Sequence, residues 1–282
     1  MIQTPIGFVG QGYVGKNYAD DFEQRGHKVV RYALEEPYVG NKEEIKGCNS
    51  VFVAVPTPTT PEGFDDSIVR AAIGLTRAGA AVIVKSTIVP GTTKSLQNQY
   101  PDRVIFFSPE FLSEATAAHD TAHPFENILG MAVDDAAHRE AAERLHAILP
   151  PAPFSLTCDS TEAEIIKYAH NGSGLVEIIF FNLMYELAQK LGADWGPIEK
   201  ALQADPFIAN RYARPVHKTG RGAGGHCFIK DFAALCDLYA KEVGDSAGNA
   251  ALSAIEQKNI SLLKGSGKDT SLLRGVYGPD IA

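Results

Sequence analysis

The sequence predicts an α/β fold: a Rossmann-like, doubly wound parallel sheet followed by an all-helical domain with one long helix. Three observations carry that expectation. Short apolar runs alternate with helical spacing as far as about residue 157. A glycine-rich turn joins the first run to the first helix, and one uninterrupted helical pattern begins near residue 160. Domains are expected at 1–158 (dinucleotide-binding), 159–263 (helical, for dimerisation) and 264–282, a loose tail of glycine, serine and charge.

The strands are read first. Ile6–Val9, Lys28–Tyr32, Ser50–Val55, Ala81–Lys85 and Val104–Phe107 are nearly continuous in apolar character, as strands covered on both faces must be. Between them Val14–Arg25, Ser67–Arg77 and Ala136–Leu149 carry helical spacing, and alternating β and α units imply a parallel sheet. Beyond Pro150, Pro151 and Pro153 the pattern changes. From Ser160 to Leu191 there is no proline, and Ile165, Ile166, Tyr168, Leu175, Ile178, Phe181, Leu183 and Leu187 recur at helical spacing. Asp159 or Ser160 caps this helix and Gly192 ends it, giving a rod on the order of 45 Å. One small domain cannot cover such a rod, so a homodimer through residues 160–191 is expected. Shorter helices follow at Pro197–Gln203, Ile229–Lys241 and Ala247–Leu263.

Composition narrows the function classes. The 282 residues are 45% hydrophobic and 21% charged, with a formal net charge of -8. That charge argues against nucleic acid or an anionic membrane as partner. No apolar run reaches membrane-spanning length and no targeting pattern opens the chain, so the cytoplasm is the expected compartment. Cys48, Cys158, Cys227 and Cys236 form no CxxC pair and are expected as thiols rather than disulfides.

Gly10-Gln11-Gly12-Tyr13-Val14-Gly15 follows the first strand and opens the first helix. In that context the first glycine makes the turn, the second admits a pyrophosphate to the backbone, and the third lets helix and strand pack closely. The alternative is that the glycines merely serve a tight turn. The acidic residue that holds the adenosine ribose is missing, because Ala33 stands where it would fall. Glu35 can substitute, or Arg31 can accept a 2′-phosphate; NAD is expected, with NADP open.

Gly220-Arg221-Gly222-Ala223-Gly224-Gly225-His226-Cys227 delivers a cysteine to a helix start, where N–H groups favour the nucleophilic thiolate. Asp231 lies one turn further on the same face. The competing reading is a small buried cysteine at a helix cap. Lys167 and Asn171, four apart on the long helix, share a face and can donate to one developing oxyanion, unless they are a solvated helix face. Glu110 and Glu114 follow the fifth strand at the ligand-binding edge of the sheet and can act as general base or water positioner. His119 and His123 have metal-compatible spacing but no third ligand, so no metal is expected.

Taken with Val55-Pro56-Thr57-Pro58, Lys85-Ser86-Thr87, Pro90-Gly91-Thr92-Thr93, Pro109-Glu110-Phe111-Leu112-Ser113-Glu114, Ala163-Glu164-Ile165-Ile166-Lys167-Tyr168 and Gly224-Gly225-His226-Cys227-Phe228-Ile229-Lys230-Asp231, the chain resembles the UDP-glucose/GDP-mannose dehydrogenase family. These motifs occur in the family's order over about residues 5–260. The resemblance implies a four-electron oxidation of a nucleotide sugar's primary alcohol, using two cofactor molecules in turn. Cys227 would form the covalent intermediate, and Thr87 and Asp231 would hold a water for proton removal. Glu114 would be the base in hydrolysis with Glu110 supporting, while Lys167 and Asn171 stabilise oxygen anions. It further implies cofactor contacts from Tyr13, Val14, Pro56, Thr57 and Thr87, and substrate contacts from Phe111, Leu112 and Gly224.

Three departures qualify the match. The family's C-terminal UDP-binding domain is expected to be lacking, Asp205-Pro206 is followed by Phe207 rather than arginine, and Ile229 replaces a proline. The basic stretch Arg211, Arg214, His217, Lys218 and Arg221 is the candidate for the missing anion contacts; the alternative is a solvated loop. The competing functions are a β-hydroxyacid dehydrogenase with a single hydride transfer, and a non-catalytic truncated homologue.

Overall fold

The computed structural model describes residues 4–208 and 212–281. Its first half comprises β1 (Ile6–Val9), α1 (Tyr13–Gln24), β2 (Val29–Tyr32), β3 (Ser50–Val53) and a short hairpin, β4 (Thr59–Thr60) with β5 (Gly63–Phe64). Then come α2 (Ser67–Gly74), β6 (Ala81–Val84), α3 (Thr92–Gln99), β7 (Val104–Phe107), α4 (Ala117–Ala122), β8 (Glu126–Met131), α5 (Ala136–Ile148) and β9 (Phe154–Asp159). The second half holds α6 (Ser160–Lys190), α7 (Trp195–Ala204), the hairpin β10 (Val216–His217) with β11 (Gly220–Arg221), α8 (Gly225–Glu242), α9 (Ser246–Ser266) and α10 (Thr270–Tyr277). Two compact units result. One contains the chain up to Thr57 and Asp65–Lys167; the other contains Pro58–Phe64 and the chain from Tyr168.

The first unit is a seven-stranded sheet in the order β2-β1-β3-β6-β7-β8-β9. All pairings are parallel except β7 with β8, so the sheet is the expected doubly wound one with a single antiparallel pair. Its cause is the connection. Between β7 and β8 only the six-residue α4 forms, too little to carry the chain back over the sheet, so β8 returns in the opposite direction. On one face Phe8, Phe22 and Phe52 pack with ring centroids 5.0–5.3 Å apart, each at most 1% exposed. Burial of each such ring contributes about 1.5–3 kcal/mol. Val51, Val53, Val82, Val84 and Phe107 are fully buried too, which is why these strands read as continuous apolar runs.

The long helix α6 has 31 residues, matching the expected span to within a residue. Asp159 accepts from the Thr161 N–H at 2.9 Å while Glu162 accepts from the Asp159 N–H at 2.9 Å, a reciprocal cap. Gly192, at φ 69°, turns the chain out of the helix.

The expectation of a loose tail over 264–282 is overturned. Helix α9 continues to Ser266, and α10 buries Leu273 and Val276 against Ile229, Ala233 and Leu263. Two apolar side chains on a single-turn spacing suffice to dock so short a helix, and Gly267, at φ 67°, ends α9 while Gly265 lies within it. Leu273 is 1% exposed, so Leu273→Ala is expected to cost about 2–5 kcal/mol. A urea midpoint equal to wild type would show that this helix is not docked.

Candidate active site

In the first unit β1 lies between β2 and β3, so the chain leaves β1 in one lateral direction and later returns to its other side. The carboxyl end of a strand at such a reversal is where doubly wound sheets hold dinucleotides. The three glycines there differ in what confines them. Gly10 sits at φ 93°, and a Cβ on it would lie 2.2 Å from the Ala54 carbonyl oxygen. A Cβ on Gly15 would meet the Gly10 oxygen at 2.0 Å, whereas a Cβ on Gly12 would meet nothing within 4 Å. The outer two glycines are therefore demanded by packing and the middle one leaves the backbone open. Helix α1 starts after Gly12 with no side-chain cap and no acidic residue in its first turn, leaving its N–H groups to an anion. An open approach and a positive helix end fit a pyrophosphate such as that of NAD.

Neighbouring strand ends are laced together. Ser86 Oγ accepts from the Val55 N–H at 2.9 Å and donates to the Val55 carbonyl at 2.7 Å. Thr57 Oγ1 donates to the Thr87 carbonyl at 2.8 Å. The loops after β3 and β6 thus form one rim, with Thr57 and Thr87 buried and Pro56 exposed. The Gly91-Thr92-Thr93 segment opening α3 is capped from a distance: Glu164 accepts from the N–H groups of Gly91 at 2.6 Å and Thr93 at 2.8 Å.

Behind the rim lies a buried charge cluster. Lys167 donates to Glu110 Oε1 at 3.0 Å and also to the Glu110 carbonyl, and both side chains are under 10% exposed. Glu110 Oε2 accepts from the Leu112 N–H at 2.9 Å. Burial alone would raise the Glu110 carboxyl, but the Lys167 ammonium, the Leu112 N–H and Lys85 hold it below the ordinary value. Lys85 donates to Ser108 Oγ and the Pro109 carbonyl, both at 3.2 Å, and lies 4.3 Å from the centre of the Tyr18 ring. Burial lowers its ammonium to about 7, against the pull of Glu110. Phe111 contributes its ring face to Lys167 at 5.3 Å.

In the second unit the glycine loop runs from β11 into α8, whose N-cap is Gly224 and whose third residue is Cys227, exposed to solvent. The loop is held from the far end of the unit. Asn259 Oδ1 accepts from the Ala223 N–H at 2.7 Å while its Nδ2 donates to the Ala223 carbonyl at 3.0 Å. Ser266 Oγ accepts from the Arg221 N–H, Lys268 donates to the Gly222 carbonyl, and Asp269 accepts from the Gly225 N–H at 2.8 Å. A Cβ on Gly224 would fall 2.0 Å from Asp269 Oδ2, so only glycine lets this support close in. One turn past the cysteine, Asp231 is 3% exposed and accepts from Asn171 Nδ2 at 2.7 Å and Lys230 at 2.6 Å. Burial pushes the other thiols up, Cys48 and Cys158 to about 11 and Cys236 to about 12, which keeps those three protonated at neutral pH.

Residues 38–149 match the model of the UDP-glucose/GDP-mannose dehydrogenase family's NAD binding domain, and residues 161–259 match that of its central domain. The chain belongs to this family. It is 29% identical over 280 residues to the UDP-glucose 6-dehydrogenase AglM of Haloferax volcanii, an alignment covering 82% of this chain and 64% of that protein. It is 31% identical over 208 residues to a UDP-glucose 6-dehydrogenase of Rhizobium meliloti, covering 69% and 46% respectively. Among solved structures, a UDP-glucose dehydrogenase from the archaeon Pyrobaculum islandicum superposes with a TM-score of 0.77 at 26% identity, over 93% of this chain and 71% of that one. The chain spans less than two thirds of the length of these curated relatives.

The family's sheet domain here thus carries Gly10, Gly12, Tyr13, Val14, Gly15, Pro56, Thr57 and Thr87 at the carboxyl edge, with Tyr13 41% exposed beside the turn. Several of the expected site residues have partners within the protein. Lys167 and Asn171 were expected to act together on one oxygen, yet each donates to its own carboxylate, Glu110 and Asp231. Glu110 and Glu114 are not an equivalent pair: the first is buried in the lysine cluster and the second is exposed in a turn. Arg31 is bound by Asp20 and Glu23, and Glu35 is exposed beyond the end of β2. Asn182 and Glu186 bind the Arg221 guanidinium. Arg214 is exposed and 3.7 Å from Glu199, and Arg211 lies outside the described residues. Sequence reasoning gave Lys85 no role of its own and missed Asn259, Ser266, Lys268 and Asp269. A lysine closing an apolar strand was the available signal for the first; the others act over separations of 36 to 46 residues and leave no local pattern.

Proposed function

We propose that this chain oxidises the primary alcohol of a nucleotide sugar to a carboxylate, with NAD as cofactor and Cys227 as covalent nucleophile, a reaction of the UDP-glucose 6-dehydrogenase type. The observation that carries the reading is the setting of Cys227. It is exposed in the first turn of α8, behind a glycine loop fixed by four separate side chains, while burial holds the other three thiols protonated.

When bound, NAD takes up a hydride in each of the two oxidations. Asp231 and Thr87 are assigned to the alcohol proton, giving the aldehyde. The Cys227 sulfur then bonds to the aldehyde carbon as a thiohemiacetal, and loss of the second hydride leaves a thioester. Water attacks the carbonyl carbon, the C–S bond breaks, and the sulfur leaves with the bonding pair as the carboxylate forms. Glu114, exposed in the turn after β7, is assigned as the base for that water. Glu110, ionised against Lys167, serves as a fixed charge. Lys167 and Asn171 are assigned to the oxygen anions. Phe111, Leu112, Arg211, Arg214 and Gly224 are assigned to substrate.

A homodimer through α6 belongs to the same reading. Val176, Phe180, Leu183, Met184 and Leu187 are each 36–52% exposed along that helix, a patch of the kind that a second copy covers. Among the described residues no helix is long and apolar enough to cross a membrane. The cytoplasm, where thiols stay reduced, is the compartment this chemistry requires.

Stoichiometry tests the proposal: two NADH are expected per sugar consumed. One NADH would sink the covalent route in favour of a single-hydride dehydrogenase, and none would leave a non-catalytic homologue.

A further inference from the structure

The second strand of the sheet carries a cation near the position where a dinucleotide's 2′-substituent is read. Its usual ribose-binding acid is replaced by Ala33, and Arg31 stands two residues earlier on the same face of β2, paired in register with Phe8 of β1. An arginine near that position can accept a 2′-phosphate. Here its donors are engaged. Arg31 Nε and Nη2 fork onto Glu23 at 3.1 and 2.7 Å, and Nη1 lies 2.7 Å from Asp20 Oδ1. Nη1 also donates to Gln11 Oε1 at 3.4 Å, inside the glycine turn, so the guanidinium sits against the dinucleotide site itself. Lys16 binds the other Asp20 oxygen at 2.6 Å.

We propose that Asp20 and Glu23 are specificity-determining residues, which make this site select NAD over NADP by occupying Arg31. The proposal rests on the first unit being an NAD binding domain. The charges support it: Lys16 and Arg31 are balanced by Asp20 and Glu23, and Glu44 adds a third carboxylate to the same open depression of about 570 Å³. A 2′-phosphate, with a charge of about -1.5 to -2, would have to displace carboxylates already holding the fork. The 2′-hydroxyl of NAD brings no charge and displaces nothing. Selection is therefore exerted from α1, by side chains that need not touch the ribose.

Fluorescence titration of the full chain with NADH and with NADPH at fixed salt tests this without turnover. In Asp20→Asn/Glu23→Gln the ratio of NADPH to NADH affinity is expected to rise about tenfold or more, the scale of one charge-assisted fork. The gain should shrink as salt is raised and vanish when Arg31→Gln is added. An unchanged ratio with NADH still bound overturns the proposal, as does a gain that survives loss of Arg31 or a wild-type chain that binds both cofactors equally. Should the double variant bind neither, Glu23→Gln alone is judged by the same ratio. A wild-type chain that binds neither dinucleotide removes the underlying NAD reading instead, which is a separate failure.

Discussion

Cys227→Ser is expected to make no carboxylate while retaining the first hydride transfer. The hydroxyl of serine is hardly ionised at neutral pH, so it cannot replace a thiolate in bonding to the aldehyde. Removal of a catalytic nucleophile lowers turnover by about 10³- to 10⁶-fold, and here the loss should fall on the second oxidation. One NADH per sugar consumed would appear, and the product would be the aldehyde, trapped by a hydrazine, in place of the carboxylate. Alkylation gives a reading independent of substrate. Because burial pushes Cys48, Cys158 and Cys236 up to about 11 or 12, iodoacetamide near pH 8 should modify a single residue, Cys227, on the fast phase. Carboxylate formed by the serine variant at an undiminished rate would end the covalent mechanism.

Lys167→Met is expected to destabilise the first unit by about 3–5 kcal/mol, the cost of leaving a buried carboxylate without its partner. Lys85 shares the cluster and offsets part of that, so the lower end is the better expectation. Replacing both partners, Lys167→Met with Glu110→Gln, should cost less than the single change, because no charge is then stranded. Acid adds a signature with a definite sign. The folded Glu110 carboxyl lies below its unfolded value of 4.5, so the unfolded chain binds more protons in between. Its stabilisation is therefore complete above about pH 4.5 and is lost as pH falls through the folded value. Glu110→Gln should flatten that acid limb in thermal melts. An acid limb identical to wild type would mean that the pair contributes nothing through ionisation.

The legible parts of the fold were those with a repeating local cause. Five strands declared themselves because both of their faces are covered, and α6 because 31 residues pass without a proline. Strands β8 and β9 escaped notice because Glu126–Met131 and Phe154–Asp159 lie only partly buried and mix polar with apolar residues. The two-residue hairpins are too short to carry any period. At the candidate site, motif spacing pointed to the glycine turn and to Cys227. It could not foresee that Lys167 and Asn171 would each turn to a carboxylate, since those partners lie 57 and 60 residues away. Nor could it foresee that Arg31 would be held by α1, because an ion pair between neighbouring elements is decided by side-chain direction rather than by order along the chain.

The manner in which Asp269 secures the Gly225 N–H has a bearing on how the protein is made. The supporting carboxylate is 44 residues downstream of the amide it holds. At synthesis rates of about 5–20 residues per second the loop would wait roughly 2–9 seconds on the ribosome before that anchor is even polymerised. The sulfur is thus translated early but acquires its working surroundings late. Ribosome-bound nascent chains halted between Cys227 and Asp269 would carry an unconstrained loop, and their thiol would answer to a probe as an ordinary peptide cysteine does.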